Sequence, residues 1–207
     1  MKKRLLIAID GPSASGKGTV ARFLSKTFNI PHLDTGGLYR ATARKCIENN
    51  IDLNNEQLVY NISKTLSNDD IINPMNFTED MGGKASIVAE MQCVRDSLFQ
   101  FQRNFANQEG GAVLDGRDIG TVICPDADYK FFIIASAEER ANRRYKEMLE
   151  KGKEANFKDI LQKIKERDER DMNREASPFK KADDAILIDT TNMSIQQVFD
   201  YVLSFIK

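Results

Sequence analysis

At 207 residues, with 30 basic against 31 acidic side chains and a net charge of −1, the chain has room for one domain with a sizeable core. Such a balance excludes a global charge excess that would draw the protein to a nucleic-acid polymer or a membrane surface. Cys46, Cys93 and Cys124 form an odd, widely spaced set without a C-x-x-C pair, which fits reduced thiols in a cytoplasmic protein. The basic start MKKR precedes an apolar stretch too short for a signal peptide, and no segment reaches the length of a membrane span.

RLLIAI, residues 4–9, is a short apolar run closed by Asp10-Gly11-Pro12, the pattern of a fully buried strand. From Gly18 onward, Val20, Phe23, Leu24 and Phe28 share one helical stripe, so a helix follows the loop. A second helix is expected from near Thr35 to Asn49-Asn50. Residues 56–109 are mainly helical in pattern, interrupted at NDDIINPMNFTEDMGGK, where Pro74, Gly82 and Gly83 fall. GAVLDG (111–116), YKFFIIAS (129–136) and AILIDTT (185–191) read as further strands. Polar helices fill 137–175, with an elbow at 151–159, and a last helix ends the chain. Strands alternating with helices predict an α/β fold with a parallel sheet covered on both faces. There is no internal repeat and no low-complexity tract.

Between the first strand and the first helix, GPSASGKGT fits the phosphate-loop pattern, with Gly11, Gly16 and Lys17 in register. In such a loop the backbone N–H groups of Gly11, Pro12's neighbours Ser13, Ala14 and Ser15, and Gly16 wrap phosphate oxygens, and the helix start adds partial positive charge. Lys17 then reaches the β- and γ-phosphates. The residue after the lysine is Gly18, with Thr19 one later, so a strict Ser or Thr is displaced by one position. There is no N-K-x-D guanine reader, and the chain is short for a motor, which leaves small-molecule phosphoryl transfer.

Two further regions suit an anionic second ligand. Thr35, Tyr39 and Arg40 lie at a helix start, while Arg117 and Asp118 follow a strand directly, where open α/β sheets bind ligands. In KERDERDMNR, Arg167, Arg170, Asp171 and Arg174 fall on one helix face. Two readings of that run stay open from spacing alone: a second phosphate clamp, or a solvated face neutralised by Glu166, Asp168 and Glu169. Arg140 and Arg144, four apart, either reach donor phosphates or belong to the surface. His32 lies outside every motif and reads as structural.

IDGPSASGKGT, LDTGGLYR, the DGRDIGTV segment and the ERD, RD and ADDA pieces after it, taken together and in order, resemble bacterial cytidylate kinases over nearly the whole chain. The resemblance implies a P-loop kinase fold with a parallel five-stranded sheet flanked by helices. It divides one domain into a core (about 1–60, 110–144 and 176–207), a short nucleotide-monophosphate-binding insertion (about 61–109) and a helical lid (about 145–175). The implied activity is transfer of a phosphoryl group from ATP to CMP or dCMP by a monomer that binds small nucleotides and neither nucleic-acid polymers nor membranes. UMP, AMP or shikimate as acceptor is the alternative on the same fold, and a nucleotide-binding regulator without turnover is the alternative outside enzymes.

Carried onto this sequence, the family's cytosine contacts fall on Ser86, Arg95 and Asp118, its acceptor-phosphate contacts on Arg40, Arg117 and Arg174, and its ribose contacts on Arg167 and Asp171. Tyr39 is expected beside the base and Thr35 with it at the acceptor. ATP is assigned to residues 11–19 and Arg144, with Mg²⁺ bridging its phosphates and Thr19 reaching the metal directly or through water. Lys17, Arg117 and Arg174 are the expected catalytic cations. The family's longer stretch before Ser86 is not matched between Asn61 and Lys84, so a less complete enclosure of base and sugar is expected.

Overall fold

A computed structural model describes residues 4–78 and 81–206. Its centre is β1 (Leu5–Asp10), an apolar strand paired in parallel with β3 (Gly111–Gly116) on one side and β4 (Tyr129–Ile134) on the other. β2 (His32–Asp34) lies outside β3 and β5 (Ile186–Asp189) outside β4, giving five parallel strands in the order β2-β3-β1-β4-β5. Because every strand runs the same way, each connection must cross the sheet, and helices make the crossings.

The strand register brings Asp10 beside Gly116 and Asp34 beside Asp115, so the carboxyl ends of β1, β2 and β3 share one edge. β2 has only three residues and mixed polarity, so no periodicity marks it. Pairing of His32 with Val113 and Leu33 with Leu114 makes it a strand.

Alternation along β1 splits the core in two. Ile7 and Ile9 pack with Val20 and Leu24 of α1 (Lys17–Phe28) and with Val198 and Val202 of α9 (Ile195–Leu203). Leu6 and Ala8 face the other side, with Leu33, Leu114, Ala106 and Ile119. A third cluster joins α2 (Gly36–Glu48), α3 (Glu56–Ser63), α5 (Met81–Val88) and α6 (Gln92–Ala106) through Leu38, Val59, Val88 and Leu98. The fourth belongs to a hairpin of α7 (Ala137–Glu150) and α8 (Phe157–Asn173), where Ala141 and Met148 meet Ile160 and Ile164. The elbow expected at 151–159 corresponds to the turn between these two helices, which is shorter because Phe157 already begins α8. No helix among the described residues is long and apolar enough to cross a membrane.

The expected interruption before Ser86 is largely helical. α4 (Asn68–Ile72), a 3₁₀ turn (Pro74–Phe77) and α5 occupy it, while Glu79 and Asp80 lie outside the described residues. Gly82 therefore sits inside a helix, against its propensity. A Cβ there would approach the Arg167 guanidinium to 2.9 Å, the mobile end of a side chain that could shift.

Gly111 meets backbone instead. It enters β3 at φ 101°, where a Cβ would lie 2.0 Å from the carbonyl oxygen of Leu5. Gly111→Ala should lower folding stability by about 3 kcal/mol, combining left-handed strain with a backbone clash. Chemical denaturation checks this, and an unchanged midpoint would mean the β1–β3 register can slide.

Candidate active site

The loop from Pro12 to Gly16 curls because Ala14 and Gly16 both adopt positive φ, 59° and 94°. This turns successive amides toward one side. α1 begins at Gly16 without a side-chain cap, unlike α3, α7, α8 and α9, whose first N–H groups are bonded by Asn55, Ser136, Asn156 and Ser194. The first N–H groups of α1 thus have no side-chain acceptor. α2 likewise starts without one, since Thr35 spends its hydroxyl on the carbonyl oxygen of Asp115 at 2.8 Å.

A cavity of about 170 Å³ opens at the carboxyl edge of the sheet, and Ser13, Lys17 and Gly18 line its donor side. Lys17 Nζ donates back to the Pro12 carbonyl at 3.3 Å. Burial, and next the neighbouring Arg117, lower its ammonium to about 7. In the free protein Lys17 is therefore a cation short of an anion.

Every residue assigned to the acceptor lines the same cavity: Thr35 just before α2, Tyr39 and Arg40 from α2, Ser86 from α5, Arg95 from α6, Arg117 and Asp118 after β3, and Arg167, Asp171 and Arg174 from the end of α8. Arg95 makes a buried hydrogen bond to Asp118 Oδ2, donates to the Ala89 carbonyl at 3.1 Å, and lies 5.6 Å from the Tyr39 ring centre. Asp171 accepts from Ser86 Oγ at 2.9 Å and from Arg117 Nε at 2.8 Å, joining α5, α8 and the loop after β3. Burial alone would raise the Asp171 carboxyl, but Arg117 and Arg167 outweigh it and hold it near 2.

Asp171 and Arg174 are 5 % and 7 % exposed, so a solvated ion-pair face does not describe α8. Asp168 instead crosses to Arg140 NH1 at 3.0 Å, and Glu166 accepts from Gln162. Arg170 departs from its expected company, with Nε 3.5 Å from Glu90 and the side chain partly exposed. Arg167 reaches Ser13 Oγ of the phosphate loop at 3.3 Å, and burial followed by Arg117 lowers its guanidinium to about 10.

Six basic side chains line the cavity (Lys17, Arg40, Arg95, Arg117, Arg167 and Arg174) against four carboxylates (Asp34, Asp115, Asp118 and Asp171), a formal excess of two positive charges once Lys17 is protonated. A phosphate monoester near neutral pH carries about −2, so the excess suits one. Among the described residues no group of three or more His, Cys, Asp or Glu could hold a metal by protein ligands alone. Asp34 and Asp115 also line the cavity, each with one oxygen engaged, by Arg40 at 2.7 Å and by His32 at 2.7 Å, and their second oxygens fit a hard cation sharing phosphate oxygens.

The sequence reading missed several contributors. Asp115 closes the apolar run of β3, and an acidic residue ending a strand beside a phosphate loop is a signal that was available. Its Oδ2 meets His32 Nε2 at 2.7 Å, which gives His32 its structural partner. Arg143 donates to the Ser15 carbonyl at 3.1 Å and to the Thr190 carbonyl at 2.7 Å, bracing the phosphate loop from α7. Nothing in sequence separates Arg143 from its neighbours in EERANRR. Arg140, buried, donates to the Ser13 carbonyl at 3.3 Å. Arg144 instead pairs with Glu147 at 2.8 Å and does not line the cavity. Thr19 does not line it either; its hydroxyl accepts from Arg22 at 3.3 Å.

A family model described as cytidylate kinase matches residues 7–207. The chain is 46 % identical over 203 residues to a cytidylate kinase of Methylocella silvestris, covering 98 % of this chain and 94 % of that one. It is 42 % identical over 213 residues to a cytidylate kinase of Clostridioides difficile, covering 98 % of both. Among solved structures, an uncharacterized protein from Eubacterium ventriosum superposes with a TM-score of 0.55 at 19 % identity over 98 % of both chains, a likeness of fold.

Proposed function

The chain belongs to the cytidylate kinase family, and from that premise and the cavity's chemistry we propose that it transfers the γ-phosphoryl group of ATP in line to CMP or dCMP, giving ADP and CDP or dCDP. The observation that carries this reading is the convergence on one cavity of a phosphate loop and a second arginine cluster, with a buried carboxylate at its far end. A regulator that only senses ATP needs no second cluster.

The donor phosphates lie along the loop 11–19, with Lys17 on the β- and γ-phosphates. Arg40, Arg117 and Arg174 hold the acceptor phosphate, and Arg167 with Asp171 takes the ribose. Arg95, Ser86 and Asp118 face the base. Asp118 accepts from the exocyclic amine of cytosine, whereas uracil offers an oxygen there and is repelled. Tyr39 and Thr35 wall the acceptor on the α2 side.

The attacking atom is a phosphate oxygen, already anionic, so no general base is needed. What the chain supplies is alignment and cations placed where charge shifts during transfer. Asp34 and Asp115, with Thr19 as a further candidate, would hold Mg²⁺, which would supply charge neutralisation to the ATP phosphates. The α7–α8 hairpin, with residues 145–175, serves as a lid that excludes water, and 61–109 serves as the acceptor insertion. We read the enzyme as a cytoplasmic monomer, which free Cys46, Cys93 and Cys124 support only as regards the compartment.

The test is ADP release by purified protein with ATP and a panel of CMP, dCMP, UMP, AMP and shikimate. Turnover confined to the cytidine nucleotides is expected, and preference for any other acceptor overturns the reading.

A second expectation follows from Lys17. Its ammonium is lowered to about 7 in the free protein from an ordinary 10.5, and ATP phosphates would lift it again. Between those two values ATP binding should take up a proton, and ATP affinity should fall as pH rises through 7. Calorimetry in two buffers of different ionisation heat reads this directly, and identical heats in both would remove Lys17 from the phosphates.

A further inference from the structure

Asp10 is the last residue of β1 and the chain neighbour of Gly11, yet it takes no part in the scheme above. Its side chain is 5 % exposed and forms no ion pair among the described residues. Both carboxylate oxygens are used on consecutive backbone amides: Oδ1 accepts from Ile119 N–H and Oδ2 from Gly120 N–H, each at 2.8 Å. Those amides open the single π-helical turn Ile119–Ile123, which begins immediately after Arg117 and Asp118.

A buried carboxylate without a cation is costly, and a neutral amide in its place would accept only one of the two N–H groups while opposing the other. The position therefore calls for two acceptors side by side. One residue thus joins the first glycine of the donor loop, through the chain, to the corner that presents Arg117 and Asp118, through two hydrogen bonds.

We propose that Asp10 is a positioning residue, which clamps the Arg117–Asp118 corner at a fixed distance from the donor loop and so sets the approach of the two phosphates. This rests on the assignment of Arg117 and Asp118 to the acceptor. Supporting it, burial raises the Asp10 carboxyl to about 7, against the opposing pull of the Gly120 and Ile119 amides. The groups facing it are Asp118 and Arg117 on the loop and the methylene stem of Lys130 from β4, whose ammonium is engaged by Asp184. Protonation removes one of the two acceptors, so the clamp is intact above neutral pH and slack below it.

The experiment is Asp10→Asn, with ATP saturating so that Lys17 stays protonated. We expect kcat to fall by about tenfold to a hundredfold and KM for CMP to rise, with the ATP dissociation constant within about twofold of the original, as for a misaligned acceptor. In the unaltered enzyme kcat/KM for CMP should rise with pH through about 7. In the variant only the nucleotide phosphate, near 6, should shape that limb. ATP affinity falling in step with CMP affinity, unchanged kinetics, or an unmoved acid limb would each overturn the proposal.

Should the variant not fold, the amide resonances of Ile119 and Gly120 in the unaltered protein must move as the Asp10 carboxyl titrates, and no response of either at any pH at which the protein is folded overturns the clamp. If the unaltered protein does not phosphorylate CMP at all, the functional reading fails, while the Gly120 titration still decides the clamp.

Discussion

Replacing Lys17 by Met should lower kcat by roughly a thousandfold, about 4 kcal/mol of transition-state stabilisation. The lysine follows Gly16 directly and lines the cavity beside Gly18, where the proposed transfer would carry the γ-phosphoryl group between two anions. Methionine keeps the length and apolar stem but carries no charge. The unliganded protein should not be weakened, because the ammonium is a desolvated cation whose nearest hydrogen bond, to the Pro12 carbonyl, is a long 3.3 Å. Circular dichroism on heating and single-turnover rates with CMP separate the two effects. A variant that melts early and retains its rate per folded molecule would make Lys17 a structural residue.

The legible parts of the molecule were those where local chemistry and tertiary structure agree. The phosphate loop was readable because a buried strand, a run of small residues and a helix start follow one another within about fifteen positions, and each has its own signal. Arg117 and Asp118 were readable because a short apolar run hands directly to two charges. β2 was not, since three residues carry no period and only pairing with β3 defines them. Gly82 was misjudged as a breaker because it falls in the first turn of α5, a helix that packing against distant elements defines. The face shared by Arg167, Asp171 and Arg174 was seen, but spacing could not tell a clamp from a solvated stripe. Burial of Asp171 beneath Ser86 and Arg117 removes the solvated stripe, and burial is a property of the packed chain.

Arg174→Ala should reduce kcat by about a hundredfold to a thousandfold while leaving the ATP dissociation constant within about threefold. Arg174 closes the C-terminus of α8, its backbone N–H bonded to the Arg170 carbonyl and its Nε to the Ser177 carbonyl at 2.8 Å. One guanidinium nitrogen, NH2, is buried without a hydrogen-bond partner, and the nearest carboxylate, Asp118 Oδ1, is 4.0 Å away. Burial, then the adjacent Arg95, already disfavours the charged form. A cation held in that condition loses solvation in the free protein and recovers it only when an anion arrives at NH2. The gain is therefore concentrated on the acceptor phosphate and on the charge that builds as the two phosphates meet, and the donor loop feels little of it. Arg174→Lys keeps the charge but not the planar fork, so it should recover part of the rate and leave KM for CMP high. Steady-state kinetics with CMP varied, beside calorimetric ATP binding, distinguish these outcomes. Equal losses in ATP affinity and turnover would take Arg174 off the acceptor and return the end of α8 to a purely structural role.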